Sequence, residues 1–354
     1  MVNLTIMKHL AENGYNLHVF TSERSKNEWK SRFEAITKNI VILPSVVKNA
    51  KSQHDYIDIL ISYIKEANIE NIIVSNSEFG YNCLPVVKNE FPQLKIVDIL
   101  HGQGGEKEGG GFPEYSKSFD NYLDRRITIN KYLKAYLAEK YHIRPAKIAV
   151  IPNCIDTDKF VKKGTTVNDV FTISFIGRLS YEKHPEKVVE IASLLRLRNP
   201  EYKVVFQVIG DGPLSDELKA TVNEKGLQNY VQLKGYKGNI MGVLEQTDLL
   251  VLCSEMEGLP IVLLEAMSMS IPCIASNVGG IPELIDDSIN GYLVNYDESM
   301  VITFVEKIEM VYNNPSLRKE LALNARKKIE SEYSIEKMIK GYLSILDDKQ
   351  TVSV

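Results

Sequence analysis

No apolar run in this 354-residue chain approaches the roughly 20 residues that a membrane-crossing helix needs. Cysteine is scarce: Cys83, Cys154, Cys253 and Cys273 are scattered, and no two form a C-x-x-C pair. That spacing speaks against a disulfide framework or a zinc site and predicts buried, reduced thiols. No basic stripe with interleaved aromatics appears, which argues against nucleic-acid binding. There is no strand-linked G-x-G-x-x-G with an acidic residue about 20 positions on, which argues against a dinucleotide-dependent dehydrogenase. The opening stretch Met1–His9 lacks the basic region and long apolar segment of a secretory leader. Internal repeats and low-complexity tracts are also missing. The net charge is a modest −4. A small excess of lysine and arginine in the first 150 residues is outweighed by carboxylates in the remainder, too little to point to a charged partner.

What the chain does have is a regular alternation. Short β-branched runs (Leu17–Phe20, Ile40–Leu43, Ile72–Ser75, Ile96–Leu100, Ile127–Ile129 and Ile148–Ile151) alternate with amphipathic stretches in the first half. Thr172–Ile176, Val204–Ile209, Val231–Leu233, Leu249–Cys253, Cys273–Ser276 and Tyr292–Val294 do the same in the second, with Pro185–Leu197, Leu214–Lys225 and Ile240–Glu245 among the helical stretches between. Such alternation predicts parallel α/β units. Lys162–Asp169 is polar, has no apolar period, and is the linker candidate. The expected architecture is two Rossmann-like domains facing each other across a cleft: 1–161, 162–334, and a terminal segment 335–354 that packs back on the first. One feature departs from this plan. The chain opens inside a helix, Asn3–Asn13, whereas a doubly wound sheet places a strand and a glycine-rich turn before its first helix. Both are expected to be missing, with truncation or a misassigned start as the explanation.

The densest local signal is Ser254-Glu-Met-Glu-Gly-Leu-Pro-Ile-Val-Leu-Leu-Glu-Ala266. Gly258 allows close backbone approach to a ligand, and Pro260 suits a helix start because it needs no amide partner. Exposed amides at that start favour a phosphate. Glu265 follows about five residues later, roughly 7 Å along a helix, a reach that fits the ribose of the same nucleotide. Gly177-Arg178-Leu-Ser-Tyr-Glu-Lys183 closes another strand, and its two cations suit a diphosphate, Arg178 bidentately and Lys183 as a mobile point charge. His184 beside them reads as a loop residue. His101 stands at a strand's carboxyl end with Gly102, Gln103, Gly104 and Gly105 behind it, where open α/β sheets place ligands. His9, His18, His54 and His142 have no such context.

The E-G-x-P-x-x-x-x-E-A stretch from Glu257 to Ala266, the G-R-L-x-x-E-K stretch and Gly279-Gly-Ile-Pro-Glu283 together resemble the retaining glycosyltransferases of family 4, which have the GT-B fold. The likeness runs from about Asn3 to the helix Ile335–Leu346 and is most specific in the second half. It implies transfer of a sugar from a nucleotide-diphosphate sugar, UDP- or GDP-linked, to a hydroxyl, with no metal and no other cofactor. Arg178, Lys183, Glu257 and His101 would be catalytic, with Glu257 on the donor-sugar hydroxyls. Gly177, Gly210, Gly235, Tyr236, Gly258, Leu259, Pro260 and Glu265 would bind the donor, with Gly210 the closest approach to its diphosphate. Gly102, Gln103, Gly104 and Gly105 would bind the acceptor, and Lys107–Gly111 would form a mobile acceptor loop. The Gly279–Glu283 turn is expected either to pack under the donor loop as a rigid turn or to contact substrate. Cys154 replaces the glycine usual in the family's I-P-N-G stretch, which puts a left-handed backbone there in question. The acceptor implied is a glycan or lipid-linked glycan, reached in the cytoplasm at the inner face of the membrane through peripheral contact. A sugar-nucleotide 2-epimerase or glycan phosphorylase shares the architecture but not the paired motifs. A catalytically degenerate, donor-binding or scaffold homologue is the alternative from another class.

Overall fold

The computed structural model describes residues 2–22, 30–46, 54–104, 111–162, 164 and 169–347. The chain divides into two compact units, Met1–Pro152 with Glu336–Val354, and Asn153–Ile335. The first division falls earlier than the expected 161/162 because residues 153–160 are bonded into the second unit. Ile155 N donates to Tyr333 O at 3.1 Å, and Ser268 Oγ donates to Phe160 O at 3.0 Å. Part of the predicted linker, residues 163 and 165–168, lies outside the described residues.

The second unit holds a six-stranded parallel sheet. Its strands are β7 (Phe171–Ile176), β8 (Val204–Ile209), β9 (Val231–Gly235), β10 (Leu249–Leu252), β11 (Cys273–Ser276) and β12 (Tyr292–Val294). Their spatial order is β12-β11-β10-β7-β8-β9. All six residues of β7 and all four of β10 are buried, as expected of parallel strands covered on both faces. The order reverses direction between β7 and β10, and the connections that leave them diverge. In an open α/β sheet that switch point is where a ligand crevice forms, outside the carboxyl ends of the strands. Two long helices, Met300–Asn313 and Pro315–Glu332, follow the sheet. Asn314 Oδ1 caps the second by accepting from Leu317 N at 3.0 Å, with Pro315 at the first helical position.

In the first unit, β3 (Asn71–Ser75), β4 (Lys95–Leu100), β5 (Arg125–Thr128) and β6 (Ile148–Val150) form a parallel sheet in chain order. A separate parallel pair comprises β1 (His18–Thr21) and β2 (Asn39–Ile42). Among the described residues β1 pairs only with β2 and β3 only with β4, so the unit has two sheets where a doubly wound fold has one. Side chains link them instead. His18 Nδ1 and Tyr63 OH are 2.7 Å apart, Phe20 packs edge-on against Tyr63, and Asn3 Nδ2 donates to Ser75 Oγ at 3.1 Å. The opening helix spans Val2–Glu12 and buries Ile6 and Leu10. The terminal helix Ile335–Leu346 packs on this unit: Lys95 Nζ donates to Ile345 O at 2.8 Å, Tyr15 OH bonds Asp347, and Gly341 lies against Ile151.

Strand β5 begins before the expected Ile127 because its first two residues are arginines, which an apolar pattern passes over. Arg126 is 1% exposed and its guanidinium donates four hydrogen bonds. Nη1 donates to Asp98 Oδ2 at 2.6 Å and Ser116 Oγ at 3.0 Å. Nη2 donates to Ser116 O at 2.9 Å, and Nε to Asp120 Oδ1 at 2.9 Å. Asp98, fully buried on β4, also accepts from Tyr81 OH at 3.1 Å. Burial pushes its carboxyl up to about 6, against the lowering pull of Arg126. Breaking one half of a buried pair leaves the other charge uncompensated. Arg126→Met is therefore expected to cost about 3–5 kcal/mol in chemical denaturation, and the double change Asp98→Leu with Arg126→Met markedly less.

Candidate functional site

The loops leaving β7 and β10 meet at the switch point of the second unit. After β7 the chain runs through Gly177 and Arg178 into a short 3-10 turn, Tyr181–Lys183. After β10 it runs through Ser254–Leu259 to the helix Ile261–Ser268, with Pro260 as its cap residue rather than in its first turn. Glu255 N donates to Glu182 O at 3.0 Å, joining the two loops by their backbones. Lys183 Nζ lies 2.7 Å from Glu257 Oε1, and Ser254 Oγ donates to the same oxygen at 2.7 Å. Ser254 is itself fixed, because Ser276 Oγ at the end of β11 donates to its carbonyl at 2.6 Å. The Glu257 side chain is only 8% exposed, so the pair is largely shielded from water. Two of the predicted residues, one from each motif, are thus in direct contact. Arg178 is exposed on the same loop as Lys183.

Glycines bring the loops this close. A Cβ on Gly210, after β8, would overlap the carbonyl oxygen of Gly177, and its φ of +148° lies in the region open to glycine. Gly210 therefore seats one loop against another, which makes its nearest neighbour Gly177 backbone. A Cβ on Gly279, φ +53°, would overlap the carbonyl oxygen of Glu257, and Gly280 N donates to that carbonyl at 3.4 Å. The Gly279–Glu283 turn packs under the loop that carries Glu257, the structural one of its two expected readings. Gly235 ends β9, its carbonyl accepts from Gly210 N at 3.1 Å, and Tyr236 beyond it is 77% exposed.

Glu265, on the inner side of the helix Ile261–Ser268, is 5% exposed. Among the described residues its carboxyl has no hydrogen-bond partner. Burial pushes it up to about 7, with Lys159 pulling the other way. Asn153 Nδ2 donates to Leu259 O at 3.4 Å, tying the interdomain stretch to the same loop. Cys154 has no left-handed backbone, so the replacement of a glycine there is accommodated.

His101, Gly102, Gln103 and Gly104 stand at the carboxyl end of β4 in the first unit. His101 Nε2 is 3.2 Å from Ser75 Oγ at the end of β3, and burial lowers its basicity. Gly105 and residues 107–110 of the expected acceptor loop lie outside the described residues. Gly111 is described, and a Cβ there would press on Gly104 at 3.0 Å. Among the described residues no group of three or more histidine, cysteine or carboxylate side chains is placed to hold a metal ion, and no helix is long and apolar enough to cross a membrane.

The Lys183–Glu257 pair stands at the switch point of a parallel sheet, where open α/β folds form a ligand crevice, and comparison gives the chain a family. Two family models match in tandem: Glycosyltransferase Family 4 over residues 1–159 and Glycosyl transferases group 1 over residues 156–328. The chain belongs to the group 1 glycosyltransferases. It is 29% identical over 226 residues, 61% of this chain and 58% of the relative, to the UDP-Gal:alpha-D-GlcNAc-diphosphoundecaprenol alpha-1,3-galactosyltransferase of Escherichia coli. It is 34% identical over 176 residues, 49% of this chain and 47% of the relative, to a Campylobacter jejuni alpha-1,4-N-acetyl-D-galactosaminyltransferase of a diNAcBac-PP-undecaprenol-linked glycan. The chain spans about half the length of these curated relatives. A solved glycosyltransferase from Rickettsia africae superposes with a TM-score of 0.80 at 19% identity, covering 99% of this chain and 94% of the other, which places the fold in the GT-B class.

Ser254, Ser276 and Asn153 position Glu257 and its loop, yet no motif in the sequence gave them a ligand-site role. Their signal is tertiary. Gly279→Ala combines a left-handed φ with an overlap on the Glu257 carbonyl, and a stability loss of about 1–3 kcal/mol in thermal unfolding is expected.

Proposed function

We propose that the protein is a retaining, metal-independent glycosyltransferase that moves a sugar from a UDP- or GDP-sugar to a hydroxyl of a glycan or lipid-linked glycan. The observation that carries this reading is the Lys183–Glu257 pair at the carboxyl ends of adjacent central strands, in a chain of the group 1 family. The relatives named above supply the acceptor class: their printed substrates are diphosphoundecaprenol-linked. Work on such acceptors would take place on the cytoplasmic side, at the membrane face, by peripheral contact.

The bond between the anomeric carbon and the diphosphate oxygen breaks, and the acceptor oxygen bonds to the same face of that carbon. The acceptor proton passes to the departing phosphate, which leaves as nucleoside diphosphate. Two charges develop, negative on the diphosphate and positive on the sugar. Lys183 and Arg178 offset the first with preorganised cations. Glu257, held by Ser254 and Lys183, accepts from sugar hydroxyls with its remaining oxygen. Glu265 accepts from the ribose, and His101 lines the acceptor side.

Calorimetry with UDP and GDP, each with and without magnesium, tests the donor site. Tight binding of one, unchanged by magnesium, is expected; binding of neither by folded protein rejects the reading in favour of a degenerate homologue. Lys183→Ala is expected to lower kcat by about 10²–10³-fold with a smaller change in donor affinity, and full turnover would remove it from the leaving-group role. Glu265 accepts ribose hydroxyls most strongly when ionised, with both oxygens free as acceptors, and its raised value near 7 makes that ionised form scarce at acid pH. Nucleotide affinity is therefore expected to rise with pH through about 7, with proton release on binding, and to lose this dependence in Glu265→Gln. Affinity that is flat with pH in the parent protein would move Glu265 out of the pocket.

A further inference from the structure

His184 follows Lys183 directly, with a left-handed backbone (φ 47°, ψ 54°) that L-residues rarely hold. Its imidazole joins three segments. Nδ1 is 2.5 Å from Glu186 Oε1 on the helix Pro185–Arg198. Nε2 is 3.3 Å from Glu255 Oε2 in the loop after β10 and 2.8 Å from Tyr296 OH, just beyond β12. Glu255 is two residues from Glu257 and bonded through its amide to Glu182 O. The neighbouring cations are Lys183, paired with Glu257 at 2.7 Å, and Lys187, paired with Glu190 at 2.9 Å.

We propose that His184 is a positioning residue whose protonation tightens the Glu255–Glu257 segment against the loop that carries Lys183. A neutral imidazole has one N–H. The carboxylate beside Nδ1 claims it, and Nε2 is then a lone pair that accepts from Tyr296 and repels Glu255. Burial, and then Glu255 and Glu186, push the Tyr296 phenol up, so it stays protonated and able to donate. When the ring takes up a proton, Nε2 becomes a donor and its contact with Glu255 turns attractive. The consequence for turnover rests on the proposed transfer reaction.

Hydrogen–deuterium exchange of residues 254–258, expressed as protection factors corrected for intrinsic rate, tests it on the full chain at pH 6 and pH 8. Protection is expected to fall about threefold at pH 8, the scale of a partly exposed ion pair. His184→Asn, which tolerates the left-handed backbone, is expected to be poorly protected at both pH values. Tyr296→Phe keeps the imidazole and removes the partner of its neutral form, so it is expected to widen the difference between the two pH values. In a donor assay kcat should fall over the same range in the parent protein and be low and flat in His184→Asn. Protection independent of pH in the parent and unchanged in His184→Asn overturns the proposal. Protection that behaves as expected, in a protein that turns over no nucleotide sugar, supports the positioning role while rejecting the transferase reading.

Discussion

The second unit depends on backbone meeting backbone at the carboxyl ends of its central strands. Gly210 sits on the carbonyl of Gly177 and Gly279 on the carbonyl of Glu257, each at a place where a single methyl group would overlap. These contacts pull the loops after β7, β8, β10 and β11 into one layer. Within it the amide of Glu255 reaches Glu182 and Lys183 reaches Glu257. Close packing of loops gives these side chains fixed positions.

The charge arrangement at rest follows from that layer. Lys183 and Glu257 neutralise each other in a shielded position, with Ser254 filling a further acceptor site on the carboxylate. Arg178 is left exposed, and Glu265 is buried with its carboxyl raised by desolvation. The layer thus contains one self-satisfied ion pair and one buried carboxyl raised by desolvation.

The first unit uses a different device. A fully buried arginine with five N–H donors anchors β5, β4 and the helix Gly111–Lys117 through Asp98, Asp120 and Ser116. Tyr81 packs against Phe112, Tyr115 and Phe119 on the same side. His101 and Gly104 follow β4 directly, so the ion pair and aromatic cluster steady the end of the strand from which they project.

The alternation of short β-branched runs with amphipathic stretches determined the parallel α/β class and nearly every strand to within a residue or two, because strands buried on both faces need apolar side chains throughout. The paired motifs also placed Lys183 and Glu257 in one site, since each stands at a strand end where only a ligand or a partner loop makes glycine and charge useful. Tertiary structure decided the rest. Arg126 could be read as a strand residue only once Asp98 was seen opposite it. Residues 153–160 joined the second unit through contacts with Tyr333 and Ser268, far along the chain. His184, an ordinary loop histidine in sequence, acquired its partners from Glu255 and Tyr296, 71 and 112 positions away. Local pattern records which face of an element is buried; it does not record which distant side chain a polar group will meet, because that is set by how the loops pack.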